Sequence, residues 1–99
     1  YVRPTGKATA KDLRACLKNR YAGEPFVHVL QDGAPSTRDV RGSNRCHMSV
    51  SNDRSPSRAI IVSVTDNLVK GAAGQAIQNM NLMCALPETM GLDHLTLFP

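Results

Sequence analysis

Apolar positions in the first twenty residues recur at helical spacing. Leu13, Cys16 and Leu17 stand at i, i+3 and i+4, and Tyr21 continues the stripe. Thr9 precedes them with Asp12 three residues on, a hydroxyl and a carboxylate placed as in a capping box. A helix over 10–20 is predicted, closed by Gly23 and Pro25. Phe26-Val27-His28-Val29-Leu30 is a short run of strand formers bounded by Pro25 and Asp32-Gly33, and predicts a strand. Residues 33–42, with Pro35, Ser36 and Thr37 among charges, read as a loop. Cys46, Met48 and Val50 then alternate with Arg45, His47 and Ser49, the period of a strand with one wet face. Turn residues at 52–56 separate it from the more apolar 59–64, which predicts an antiparallel hairpin.

Asp66 ends that second strand of the hairpin and can cap the next helix with its carboxylate. Leu68, Ala72, Ala76 and Met80 recur every four residues, flanked by Val69, Ala73, Ile77 and Met83, so a long helix with a broad apolar face is expected. Pro87 stops it, and Leu92, Leu95, Leu97 and Phe98 form an apolar tail that must cover something. The chain opens at Tyr1-Val2-Arg3 without Met, as though entered in mid-strand, and a piece of a longer polypeptide is expected. The predicted order is β-α-β-β-β-α, an α+β fold on an antiparallel or mixed sheet.

Composition narrows the classes. The run 59–64 is far short of the ~20 apolar residues of a membrane span, and no basic segment precedes an apolar one as in a signal peptide. Three cysteines (Cys16, Cys46, Cys84) without CxxC spacing signal neither a disulfide framework nor a zinc site, and a reducing, cytoplasmic compartment fits. Cys16 on the helical stripe, Cys46 on a strand and Cys84 at a helix end read as core thiols, and His28, His47 and His94 as solvated or structural. The net charge of +4 is lopsided: residues 1–58 hold eleven of twelve Lys/Arg and five of eight acids, residues 59–99 only Lys70 against three acids. A basic half could meet nucleic acid, a phosphorylated ligand, or simply solvent. Its cations are scattered singly with no interleaved aromatics, so a nucleic-acid partner is not expected.

Candidate chemistry gathers at the start of the last predicted helix. Lys70-Gly71-Ala72-Ala73-Gly74 puts two glycines within a turn and a half, and each costs ~1 kcal/mol relative to alanine in a helix. Their missing side chains allow another backbone or a flat ligand to approach. Asn67 stands where unpaired N–H groups open the helix, and its amide can both donate and accept. By spacing alone, it is either a cap or a contact for a carboxamide or carbonyl.

Residues 66–83, Asp66-Asn67-Leu68-Val69-Lys70-Gly71-Ala72-Ala73-Gly74-Gln75-Ala76-Ile77-Gln78-Asn79-Met80-Asn81-Leu82-Met83, resemble the C-terminal helix of the N-acetyl-gamma-glutamyl-phosphate reductase family, aspartate-semialdehyde dehydrogenase-like enzymes of arginine biosynthesis. Pro87-Glu88-Thr89-Met90-Gly91-Leu92 is similar to that family's sequel, and 35–44 to its substrate-domain loop. The resemblance implies an NADPH-dependent reduction of N-acetyl-glutamyl phosphate to the semialdehyde through a cysteine thioester, with a histidine as acid/base. The motifs that carry those two residues are not in these 99 residues, nor is the glycine-rich turn of a dinucleotide domain, so no catalytic residue is expected in this chain. The resemblance makes Asn67 a contact for the nicotinamide end of NADPH. It also implies that residues 1–65 are part of the catalytic and oligomerisation domain, and that 66–99 pack on the dinucleotide-binding domain in a homo-oligomer. The rival readings are a basic binding module and a purely structural subunit-interaction domain.

Overall fold

The computed structural model describes residues 1–94 and Thr96; the expected cover from Leu95, Leu97 and Phe98 lies outside the described residues. The elements are helix α1 (Ala10–Arg20), strand β1 (Val27–Val29), a 3-10 turn (Thr37–Val40), strands β2 (Cys46–Asn52) and β3 (Ala59–Thr65), a π-helical turn (Val69–Ala73) and helix α2 (Gly74–Met83). The strands form one mixed sheet in the order β1-β2-β3, and the fold is α+β. The strand expected at the chain start is reduced to one antiparallel bridge, in which Val2 and Ala59 exchange N–H···O bonds of 2.9 Å. The chain divides into two compact units: Tyr1–Pro35 with His47–Ser63, and Ser36–Cys46 with the chain from Val64 on.

In the first unit the capping box forms as the sequence requires. Thr9 N–H donates to Asp12 Oδ2 (2.8 Å) and Asp12 N–H to Thr9 Oγ1 (3.3 Å), which satisfies two donors at the start of α1. Ala10, Val50 and Ala59 are buried together, with Val2, Leu13, Leu17 and Ile61 packed against them. The even positions of β2 and the odd positions of β3 therefore face α1, and alternation sends His47 to the opposite side. The inward face of α1 is Ala10, Leu13 and Leu17 rather than Leu13, Cys16 and Leu17. At 100° per residue Cys16 lies about 60° beyond Leu13, and it is exposed, which corrects its reading as a core thiol. Arg14 takes the inward side and donates from Nη2 to the Val50 carbonyl at 2.8 Å.

The second unit departs further from expectation. The 3-10 turn replaces a featureless loop, and Ser36 and Asp39 close a second capping box there. The long helix begins as a π turn: Gly71, Ala73 and Gly74 donate to the carbonyls of Asp66, Leu68 and Val69, each five residues back. At the other end Leu86 N–H reaches the Asn81 carbonyl (2.8 Å) and Ala85 N–H that of Leu82 (3.3 Å), a Schellman closure. Ala85 occupies the left-handed position of that closure at φ +54°, where glycine is usual. Cys84 is exposed, not core.

The burial of α2 is inverted. Its inward side is Gly74, Gln78 and Asn81, whereas Leu68, Met80, Leu82 and Met83 are exposed, Met83 at 86%. The apolar stripe read from the sequence is real, but within this chain it faces outward.

Candidate functional site

The candidate site is the loop and helix start of the second unit, built from residues 42–44, 66–71, 78 and 88. Asp66 organises it. Its Oδ1 accepts from the N–H groups of Leu68 (2.8 Å) and Val69 (2.9 Å), and its Oδ2 from Gly42 N–H (2.8 Å). Three backbone donors on one carboxylate hold its pKa below the ordinary carboxylate value, the Gly42 bond contributing most, then Val69 and Leu68. The helix start is thus capped by Asp66, as expected, and tied to the loop at Gly42.

With Asp66 as the cap, Asn67 is left over. Its side chain is exposed, and no described residue hydrogen-bonds its amide. Gly71, one turn on, keeps the surface beside it low: a Cβ there would stand 3.4 Å from Asn67 Oδ1 and 3.3 Å from the Asp66 carbonyl oxygen. The arrangement offers an unspent amide, donor and acceptor together, at the opening of a helix.

Behind this surface lies a polar core that the sequence reading missed. Asn44 Nδ2 (2.8 Å) and Lys70 Nζ (2.6 Å) both donate to Gln78 Oε1, and Gln78 Nε2 donates to Glu88 Oε1 at 2.6 Å. Asn81 Nδ2 donates to the carbonyls of Glu88 (3.1 Å) and Met90 (2.9 Å). Asn44 and Asn81 are at most 1% exposed. Gly74 is needed because Asn44 packs on it: Asn44 Oδ1, buried and without a donor, sits where a Gly74 Cβ would go. The close approach permitted by this glycine is made by the chain's own loop. The signal was present in Gly74, Gln78 and Asn81 at i, i+4 and i+7, a small-and-amide stripe set beside the apolar one.

The other candidates disperse. Among the described residues no three His, Cys, Asp or Glu side chains gather as a metal set. Cys16 and Cys84 are exposed, Cys46 half-buried, and none of the three is in a disulfide. His28 meets His47 across the sheet, ring centroids 5.4 Å apart and tilted by 57°. No helix of the described residues is long and apolar enough to cross a membrane.

The class that the fold defines is α+β, a three-stranded sheet with two helices, and comparison with known proteins narrows it. Residues 1–67 match the family described as semialdehyde dehydrogenase, dimerisation domain, and the chain belongs to that family. It is similar to N-acetyl-gamma-glutamyl-phosphate reductase of Citrifermentans bemidjiense, 57% identical over the whole chain and 29% of the relative. The protein of the same name from Nitrosospira multiformis is 61% identical over 89% of this chain and 26% of its own length. A relative from Arabidopsis thaliana, named a probable chloroplastic N-acetyl-gamma-glutamyl-phosphate reductase, is 57% identical over the whole chain and 25% of its length. The chain therefore spans under a third of the relatives it matches.

Proposed function

We propose that this chain works as part of an NADPH-dependent N-acetyl-gamma-glutamyl-phosphate reductase, an oxidoreductase of arginine biosynthesis. In this reading residues 1–65 belong to the α+β catalytic and oligomerisation domain, and residues 66–99 pack on a dinucleotide-binding domain. The protein assembles as a homo-oligomer. The exposed Leu68, Met80, Leu82 and Met83 supply the apolar surface that the packing needs. The nucleophilic cysteine and the acid/base histidine lie outside these residues, and N-acetyl-glutamyl phosphate is the substrate. A cytoplasmic location accords with three cysteines outside any disulfide, and relatives from plants carry a chloroplast designation.

The observation that carries the reading to a residue is the unspent Asn67 amide. A nicotinamide carboxamide has one carbonyl acceptor and an NH2 donor, and a side-chain amide complements both. The low surface at Gly71 leaves room for a flat ring next to it. When bound, NADPH supplies the hydride. This chain's part is to hold the carboxamide: Asp66 fixes the helix start, Gly42 fixes Asp66, and Asn67 is presented outward.

The test is Asn67→Ala in the full-length polypeptide that contains this chain, measuring NADPH dissociation and melting on one sample. Leaving the carboxamide unpaired costs ~1–3 kcal/mol, so NADPH binding should weaken roughly ten- to hundredfold. Because Asp66 is the cap, the melting temperature should barely move. Unchanged NADPH affinity would remove Asn67 from the cofactor site.

A further inference from the structure

Helix α2 is entered through five residues, Val69–Ala73, wound as a π turn. Such turns are rare, occur mostly as single insertions in a helix, and are frequent at functional sites. Asn67 lies just before this one and α2 just after it. A π turn holds one residue more than an α turn. An α turn in its place would rotate the residues before it by about 100° and shift them by ~1.5 Å relative to α2. The direction in which the Asn67 amide points therefore depends on the turn.

Two ties span it. The first runs through the loop at 42–44. Gly42 N–H donates to Asp66 Oδ2 (2.8 Å) and Asn44 Nδ2 to Gln78 Oε1 (2.8 Å), so one short segment is bonded on both sides of the turn. The second tie starts inside the turn. Lys70 is half-buried, and its Nζ donates to Gln78 Oε1 at 2.6 Å, eight residues on. In an unbroken α-helix residues at that spacing stand about 80° apart around the axis and ~12 Å along it. The extra residue of the π turn brings them towards the relation of seven α steps, about 20° and ~10.5 Å, on one face. The bond and the turn thus favour each other. Gln78 is itself held in orientation. Its carbonyl faces the Lys70 ammonium and its NH2 the Glu88 carboxylate, with Nε2 to Oε1 at 2.6 Å, and a flip of the amide would lose both charged partners.

We infer that Lys70 and Gln78 are positioning residues of the cofactor site, which hold the π turn and so aim the Asn67 amide at the carboxamide. The inference rests on the reading of Asn67 above and adds the residues that act through it. Neither side chain has to touch NADPH for this role.

A double-mutant cycle in the full-length polypeptide that contains this chain tests it. NADPH dissociation is measured for the parent, Lys70→Met, Asn67→Ala and the two together, with circular dichroism confirming each fold. Methionine keeps most of the lysine stem and loses the ammonium. A misaimed Asn67 forfeits the bonds that its removal deletes, so Lys70→Met should weaken NADPH binding roughly ten- to hundredfold. In the Asn67→Ala background the same change should alter affinity by less than about twofold, because the two act through one contact. A second arm does not depend on Lys70→Met folding. Gln78→Glu sets two carboxylates against each other and should weaken NADPH binding as well. Adding Glu88→Gln returns an NH2 donor to that pair and leaves an acceptor for Lys70 and Asn44, so the double variant should recover affinity to within about threefold of the parent.

Parental affinity in folded Lys70→Met, with Asn67→Ala weakened, overturns the positioning role and leaves Asn67 in the cofactor site. Effects of Lys70→Met and Asn67→Ala that add in full overturn it too, since Lys70 would then act on NADPH by its own route. Parental affinity in Gln78→Glu, or a double variant that stays weak, overturns the part given to Gln78. An Asn67→Ala protein of unchanged affinity removes the reading beneath the inference, and the inference with it.

Discussion

Gly71 and Gly74 look alike in the sequence, and the structure predicts opposite responses to alanine. A Cβ at Gly74 would lie 2.7 Å from Val69 Cγ1 and 2.8 Å from the Val69 carbonyl oxygen, and against Asn44 Oδ1. Ordinary carbon contacts are ~3.5–4.0 Å, so these atoms would have to retreat by roughly 1 Å. They are poorly placed to do so. The Val69 carbonyl accepts Gly74's own N–H in the π turn, and the Asn44 amide is fully buried and bonded to Gln78. Overpacking of this kind costs ~1–3 kcal/mol, and alanine returns ~1 kcal/mol of helix propensity. With two of the three neighbours anchored the cost lies in the upper part of its range, leaving Gly74→Ala destabilised by about 1–2 kcal/mol. At Gly71 the nearest atoms are 3.3 and 3.4 Å away, one of them on the exposed Asn67 side chain, so a shift of a few tenths of an ångström suffices. There the propensity gain offsets the crowding, and stability should stay within about 0.5 kcal/mol of the parent. Urea unfolding followed by far-ultraviolet circular dichroism is the assay, because the chain has no tryptophan. In a domain of this size the Gly74→Ala melting temperature should fall by roughly 4–15 °C. Gly74→Ala unfolding at or above the urea midpoint of Gly71→Ala would refute the packing argument.

Two further substitutions probe the same unit. Ala85→Gly should raise stability by about 0.5–1 kcal/mol, since the left-handed backbone at φ +54° costs an alanine ~1–2 kcal/mol and glycine returns part of that as chain entropy; thermal melts of the pair check it. The lowered pKa of Asp66 fixes the sign of an acid response: its stabilisation is complete above the ordinary carboxylate pKa and is lost as pH falls through the depressed value. Asp66→Asn should therefore be less stable than the parent at neutral pH, with the gap closing in strong acid. Parallel acid titrations by circular dichroism would contradict this by showing a gap independent of pH.

What the sequence made legible was mostly local. Thr9 and Asp12 are three residues apart and need only each other to start α1. Asp66 likewise caps the residues directly after it, and 59–64 are apolar enough to be a strand in any context. The second box, Ser36 with Asp39, bears the same signature as the first but was hidden by the prolines and charges around it. Cys16 was misplaced because Arg14, a charged residue, takes an inward position by reaching a β2 carbonyl thirty-six residues away. Gln78 was invisible for a similar reason: its partners Asn44, Lys70 and Glu88 are spread over the chain, and no periodicity reports a hydrogen bond. At the candidate site, Asn67 could be singled out from its position, but that it is not the cap emerged only from the distances at Asp66.

The inward amides of α2 give this helix an index mark. Oily contacts tolerate sliding, since one methyl replaces another at little cost. The bonds from Asn44 to Gln78, from Gln78 to Glu88 and from Asn81 to two carbonyls do not, for a displacement of one turn, 5.4 Å, would strand all of them together. The axial setting of the helix is thereby chosen within its own unit, independently of whatever later covers Met80, Leu82 and Met83. A part gauged in this way can be pressed against a soft apolar partner and still deliver Asn67 to the same place each time.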